Sequence, residues 1–158
     1  MKKIVMLGTG LDTMGGIASV VRVYQQAGLL QRYGIRYIAT HCDGGKLRKL
    51  RAMVNAYATF LGMLLRGQVG LVHVHVASRA SFWRKSGFFA LAFAFGIPSI
   101  LHLHGAEFAQ FYGDECGPLR KRIVRGIFNR CERVVVLSRK RDEAGITQHR
   151  TNFPSKSV

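Results

Sequence analysis

Leu71-Val72-His73-Val74-His75-Val76 and Pro98-Ser99-Ile100-Leu101-His102-Leu103-His104 are two apolar runs of strand length, separated by a helix-length stretch over 81–95. Strand, helix and strand in that order make a βαβ unit, because strands can pair in parallel only if a long crossover carries the chain back. Towards the N-terminus, 3–8 and 35–40 read as further strands, with helices over 16–33 and 46–66. Towards the C-terminus, 118–130 reads as a helix and 133–138 as a fifth strand. Near-continuous apolar strands are buried on both faces. The expected fold class is therefore α/β, a Rossmann-like parallel sheet with helices on both faces, forming a single domain over residues 1–138. Val5, Leu7, Ile38, Val72, Val74, Ile100, Leu101, Val135 and Leu137 are the expected sheet core. Residues 139–158 are polar and without periodicity, and read as a tail that is disordered or not native to the fold.

A chain of 158 residues with 48% hydrophobic and 20% charged residues suits one domain with a sizeable core. Lys and Arg number 24 against 8 Asp and Glu, a net charge of +16 that points to a polyanionic partner. Nucleic acid, an anionic membrane surface and a phosphate-bearing small molecule all meet that description. Cys42, Cys116 and Cys131 form no CxxC pair and no small-domain disulfide framework, which fits a reducing cytosol. The apolar stretch 87–97 is shorter than the roughly 20 residues that span a bilayer, and 4–7 is too short for a signal-peptide core. The helix over 46–66 opens with Lys46, Arg48, Lys49 and Arg51 and is amphipathic; the segment 118–133 is similarly basic. Each reads as a covering helix with a solvated cationic end, or as a membrane-surface contact.

Three stretches carry candidate chemistry. Gly8-Thr9-Gly10-Leu11-Asp12-Thr13-Met14-Gly15-Gly16 links the first strand to the first helix, where small residues and a helix N-terminus suit a diphosphate. Thr13 stands where a dinucleotide fingerprint needs glycine, and no acid closes the second strand, so NAD is disfavoured. No Gly-Lys-Ser/Thr follows, which excludes a P-loop. His73-Val74-His75 and His102-Leu103-His104 place paired imidazoles near the carboxyl ends of two strands, where α/β sheets gather ligands. Zinc ligation is weighed and set aside because Glu107 is the only nearby acid to orient such ligands; His73 and His102 are expected to be buried instead. The loop 77–85 offers Arg79 and Arg84 for charge-assisted bonds to a phosphorylated acceptor and Trp83 as a flat apolar face. The same residues also read as a helix cap with snorkelling cations.

Met14-Gly15-Gly16-Ile17-Ala18, Val72-His73-Val74-His75, Ile100-Leu101-His102-Leu103-His104-Gly105-Ala106-Glu107-Phe108 and Val134-Val135-Val136-Leu137-Ser138 together resemble the retaining family 4 glycosyltransferases, in that order and at fitting intervals. The resemblance implies the N-terminal, acceptor-side half of a GT-B fold that works without a metal or other cofactor. It assigns the donor diphosphate contact to Gly15 and Gly16, the catalytic cleft histidine to His104, and acceptor contacts beside it to Glu107 and Phe108. Ser138 matches a small hydroxyl residue on the cleft floor.

The resemblance further implies sugar transfer from a nucleotide-sugar to a saccharide or lipid-linked acceptor in cell-surface polysaccharide synthesis. The setting would be cytoplasmic, peripheral at the anionic inner face of the plasma membrane. The family's nucleotide-binding second half has no counterpart in the sequence, so a truncated and catalytically inert piece is expected. A nucleic-acid partner is not expected, although a stand-alone basic module for phosphate or nucleic acid is the alternative reading of the charge. The sheet edge beyond the fifth strand leaves a homo-oligomer open.

Overall fold

The computed structural model describes residues 2–105 and 107–136. Five strands, β1 (Lys3–Gly8), β2 (Arg36–Ala39), β3 (Val69–Val76), β4 (Ser99–Leu103) and β5 (Arg133–Val136), pair in parallel in the order β2-β1-β3-β4-β5. The α/β class and the parallel sheet read from the alternating runs are those observed. The chain enters at β1, steps outward to β2, then returns past β1 to build β3, β4 and β5. The strand order therefore reverses between β1 and β3, leaving a crevice at their carboxyl ends.

The helices are α1 (Gly16–Gln26), α2 (Leu29–Arg32), α3 (Lys46–Leu65), α4 (Ala80–Ala94), α5 (Phe108–Gln110) and α6 (Pro118–Arg130), with a π-helical turn over Phe111–Glu115. Alternation along β1 separates two cores, since successive side chains point to opposite faces. Val5 and Leu7 join the larger core with Phe60 and Met63 of α3, Phe82, Phe88 and Phe89 of α4, and Val124 and Phe128 of α6. Met6 points the other way, into a smaller cluster with Ile17 and Val21 of α1 and Leu30 of α2.

Three local expectations change. The helix expected over 16–33 breaks into α1 and α2 because Gly28 takes a left-handed conformation, φ 69°, which ends the α1 ladder and re-aims Leu30 at the core. The segment after β4, unassigned from sequence, forms α5 and the π-helical turn and buries Phe108 and Phe111 against Phe82. Ile100 and Val135 are half-buried, not core. Both share the sheet face of His73, which among the described residues is lined only by α1 and α2, and those helices sit on the β1 side. Leu137, Ser138 and the stretch 139–158 lie outside the described residues.

Candidate functional site at the carboxyl edge of the sheet

The glycine loop after β1 is held by its own backbone and three side chains. Gly10 N–H donates to His41 O at 2.6 Å, tying the loop to the end of β2. Thr13 Oγ1 donates to Gly10 O at 2.7 Å, and Arg22 of α1 reaches back to Leu11 O at 2.6 Å. The Tyr37 hydroxyl donates to Thr9 O. Gly15 then caps α1 at φ 146°, a conformation that favours glycine, and no side chain caps the helix. A Cβ at Gly15 or Gly16 would meet nothing within 4 Å, so the space outside the α1 N-terminus is open. Its first backbone N–H groups are free to meet an anion there.

Across the crevice, parallel register brings the two histidine pairs into one stack. His75 is opposite His102, and all four imidazoles stand on the α1 face of the sheet. His73 Nε2 lies 3.2 Å from His102 Nδ1, and His75 Nδ1 lies 2.7 Å from His104 Nε2. Ring centroids of His73 and His75, His75 and His102, and His102 and His104 are 4.6, 4.7 and 4.3 Å apart. Tyr24 of α1 covers His75 at 6.3 Å. Burial differs from expectation: His75 and His102 are buried, whereas His73, further from α1, is half-buried.

The stack is neutral. Burial, with the His102 charge adding, lowers the pKa of His73 to about 4. Burial, then His102, Lys85 and His73, lowers His104 to about 3. Burial pushes His75 and His102 down as well, and for His75 the neighbouring histidines add to it. Among the described residues no carboxylate stabilises an imidazolium here. His75 Nε2, His102 Nε2 and His104 Nδ1 are buried without a hydrogen-bond partner among the described residues. The ligating nitrogens of His73, His75 and His102 fall within 4.8 Å of one another. Near-parallel rings, at 8–28° between the planes of these three, run those nitrogens side by side, so the rings would have to turn to converge on one metal ion.

The β3–α4 loop forms the next wall. Arg79, at φ 55° the one described non-glycine residue with positive φ, is drawn into a carboxylate clamp. Its Nε donates to Glu115 at 2.8 Å, and its terminal nitrogens bridge Glu115 at 2.6 Å and Glu107 at 2.5 Å. These bonds raise its pKa further and neutralise the charge expected to meet a phosphate. Glu107 is thereby engaged too. Phe108 is a core residue packed on Phe82 and Phe128, so it positions this segment from below rather than facing a ligand. Trp83 is half-buried, edge-on to Phe82 and Phe111, with the Arg120 guanidinium 5.8 Å from its ring centre. Arg84 is different: its Nε is buried without a partner, and burial lowers its pKa.

Sequence reasoning missed Lys85. It is fully buried, its Nζ donates to Ser81 Oγ at 3.0 Å, and burial, aided by Arg84, lowers its pKa to about 7. The signal was present in the periodicity: Phe82, Lys85, Phe88, Phe89 and Ala92 form the core stripe of α4, with a lysine in an apolar slot. Arg84, Lys49 and Lys85 all act on His41 at the end of β2, whose pKa burial and these cations lower. The edge thus combines an open helix N-terminus, a neutral histidine stack and cations without carboxylate partners among the described residues, an arrangement suited to a phosphorylated, hydroxyl-rich ligand. No curated protein matches the chain in sequence. Residues 10–146 match the Glycosyl transferase 4-like domain, and over that span the chain belongs to this glycosyltransferase family.

Proposed function

We propose that this domain is the N-terminal, acceptor-side half of a retaining GT-B glycosyltransferase of the hexosyltransferase type. It presents a saccharide or lipid-linked acceptor to a nucleotide-sugar in cell-surface polysaccharide synthesis. The observation that supports this most is His104: a neutral imidazole at the carboxyl end of β4, beside the strand-order switch, with one ring nitrogen held by His75 and the other unpartnered. That nitrogen is buried, so a turn of the ring would bring it to a sugar hydroxyl, where a neutral imidazole exchanges a hydrogen bond without adding charge to the cleft. Gly15 and Gly16 offer backbone N–H groups to the donor diphosphate, and Arg84, which has no carboxylate partner among the described residues, offers the acceptor phosphate a cation. The reading uses no metal, and the charges that stabilise the leaving diphosphate fall to a donor-side half. Among the described residues no helix is long and apolar enough to cross a membrane, so contact with an anionic cytoplasmic leaflet would be peripheral.

Calorimetric titration of UDP, GDP and a short-chain prenyl-phosphate-linked sugar into the purified chain tests this reading. The expected result is weak nucleotide binding and measurable binding of the prenyl-linked sugar. His104→Ala and Arg84→Ala should each reduce the latter about tenfold, the size of one lost charge-assisted or buried hydrogen bond. Tight, base-selective nucleotide binding that survives salt would mean that this domain carries the donor site, and the acceptor-side assignment would fall.

A further inference from the structure

Helix α3 is built with two apolar faces, and only one of them is used. Ala56, Phe60, Met63 and Leu64 pack into the larger core. On the far side Leu47, Leu50, Val54, Leu61 and Leu65 are 37–79% exposed. At about 100° per residue these five fall within about 60° of arc, a continuous outward stripe along the helix. Scattered apolar residues on a surface need no explanation, but an aligned row along a 20-residue helix does.

The charges around the stripe are of one sign. Lys46, Arg48, Lys49 and Arg51 crowd the first two turns, Arg66 follows the last, and α3 contains no Asp or Glu. Four cations at a helix N-terminus oppose the helix dipole, and no side chain caps that end. A helix that only covered a sheet would gain nothing from this arrangement. A second copy of the chain is a poor occupant, since symmetric pairing along the stripe would bring two all-cationic rims together. An anionic surface satisfies both features at once, taking leucines into the acyl boundary and cations among phosphates.

We propose that α3 is a monotopic docking helix that lies in the headgroup region of a bilayer containing anionic lipid, with Leu47, Leu50 and Val54 inserted. The first turn of α3 lies against the end of β2, where Cys42 Sγ is 3.7 Å from Arg48 O, and Tyr57 further along donates to Arg84 O at 3.0 Å, so docking brings the carboxyl edge of the sheet to headgroup level. Only this last step rests on the proposed transferase reading; the docking itself does not.

Flotation of the whole chain with vesicles of phosphatidylcholine alone, or with about 30% phosphatidylglycerol to give a negative surface potential, tests it. Binding is expected to the anionic vesicles only and to weaken with salt. Leu50→Glu/Val54→Glu and Lys46→Glu/Lys49→Glu should each lower the partition coefficient about tenfold or more. Arg122→Glu/Arg125→Glu on α6 makes the same change in net charge as the lysine pair, and a larger one than the leucine pair, and should cost much less. Unchanged binding of the leucine variant overturns the proposal, as does an equal loss in the α6 control, which would mean a diffuse charge effect. Dimerisation of the wild type that Leu50→Glu abolishes would assign the stripe to a second copy instead. Circular dichroism melts establish that each variant is folded; loss of prenyl-phosphate-sugar binding by Arg84→Ala, without loss of flotation, would separate the acceptor site from the docking helix.

Discussion

Replacing Lys85 by methionine should stabilise the protein at neutral and acid pH, and the gain should fade as pH rises. Lys85 is fully buried on the core stripe of α4, and its ammonium has Ser81 Oγ as its bonded partner, with no carboxylate among the described residues. Burial lowers its pKa from 10.5 to about 7. Above the ordinary value both folded and unfolded chains hold a neutral amine, so the group contributes nothing. Between pH 10.5 and about 7 the unfolded chain binds a proton that the folded chain does not, and stability falls as pH drops by about 1.4 kcal/mol per pH unit. Below about pH 7 both states are charged and the penalty stays constant, at up to about 5 kcal/mol. Methionine matches the length of the side chain and removes the charge. Ser81 Oγ keeps the Ala77 N–H as donor at 3.2 Å, so the substitution does not orphan it. Urea unfolding of wild type and Lys85→Met at pH 6, 7.5, 9 and 10 reads the effect, because the difference cancels every other titrating group. The variant should be more stable by about 4–5 kcal/mol at pH 6, about 2 at pH 9 and about 1 at pH 10. A difference that stays flat from pH 7 to pH 10, or a variant less stable than wild type at pH 6, would refute the argument from burial.

The histidine stack acts with the same sign in a lower pH window. His73 and His104 titrate near 4 and 3 when folded and near 6.5 when unfolded, so stability is complete above pH 6.5 and falls as pH drops below it. Those two alone give a slope of about 2.7 kcal/mol per pH unit between pH 6 and 4.5; urea midpoints measured over that range should drop steeply, and His104→Gln should remove about half of that slope. Arg79→Ala should release the clamp onto Glu107 and Glu115. Hydrogen exchange over 107–115 should then quicken while the urea midpoint stays close to wild type, because the clamp is exposed and the aromatic packing of Phe108 and Phe111 beneath it remains. Unchanged exchange would show that the aromatic packing alone holds this segment.

Much of the frame was legible because it depends on periodicity. Strands such as Leu71–Val76 announce themselves by length and β-branched content, and Pro118 followed by spaced apolar residues marks α6 at both ends. The break at Gly28 was not legible, because a glycine inside a helical pattern is often tolerated and only the buried position of Leu30 selects the broken form. The π-helical turn was missed for a related reason: its sequence is Phe-Tyr-Gly-Asp-Glu, with no helical periodicity, and it is held by the packing of Phe111 on Phe82 and Trp83 of α4 and by Lys121 of α6, whose Nζ donates to Gly113 O at 2.9 Å.

For the candidate site, sequence alone determined which residues stand at the carboxyl ends of strands: the glycine loop after β1 and the two His-x-His pairs of β3 and β4. Chain order and strand period are local properties, and they carry that information without any contact being known. Tertiary structure alone decided which of those residues are available. Register between β3 and β4 turned two separate pairs into one neutral stack, since which residues lie side by side depends on how strands align. Glu115, distant in sequence, turned Arg79 from a free cation into a clamp, while Arg84 has no carboxylate partner among the described residues. Lys85 became a buried amine only when α4 settled on the sheet, because a pKa is set by the solvent and charges around a group, and neither is written in its own neighbours along the chain.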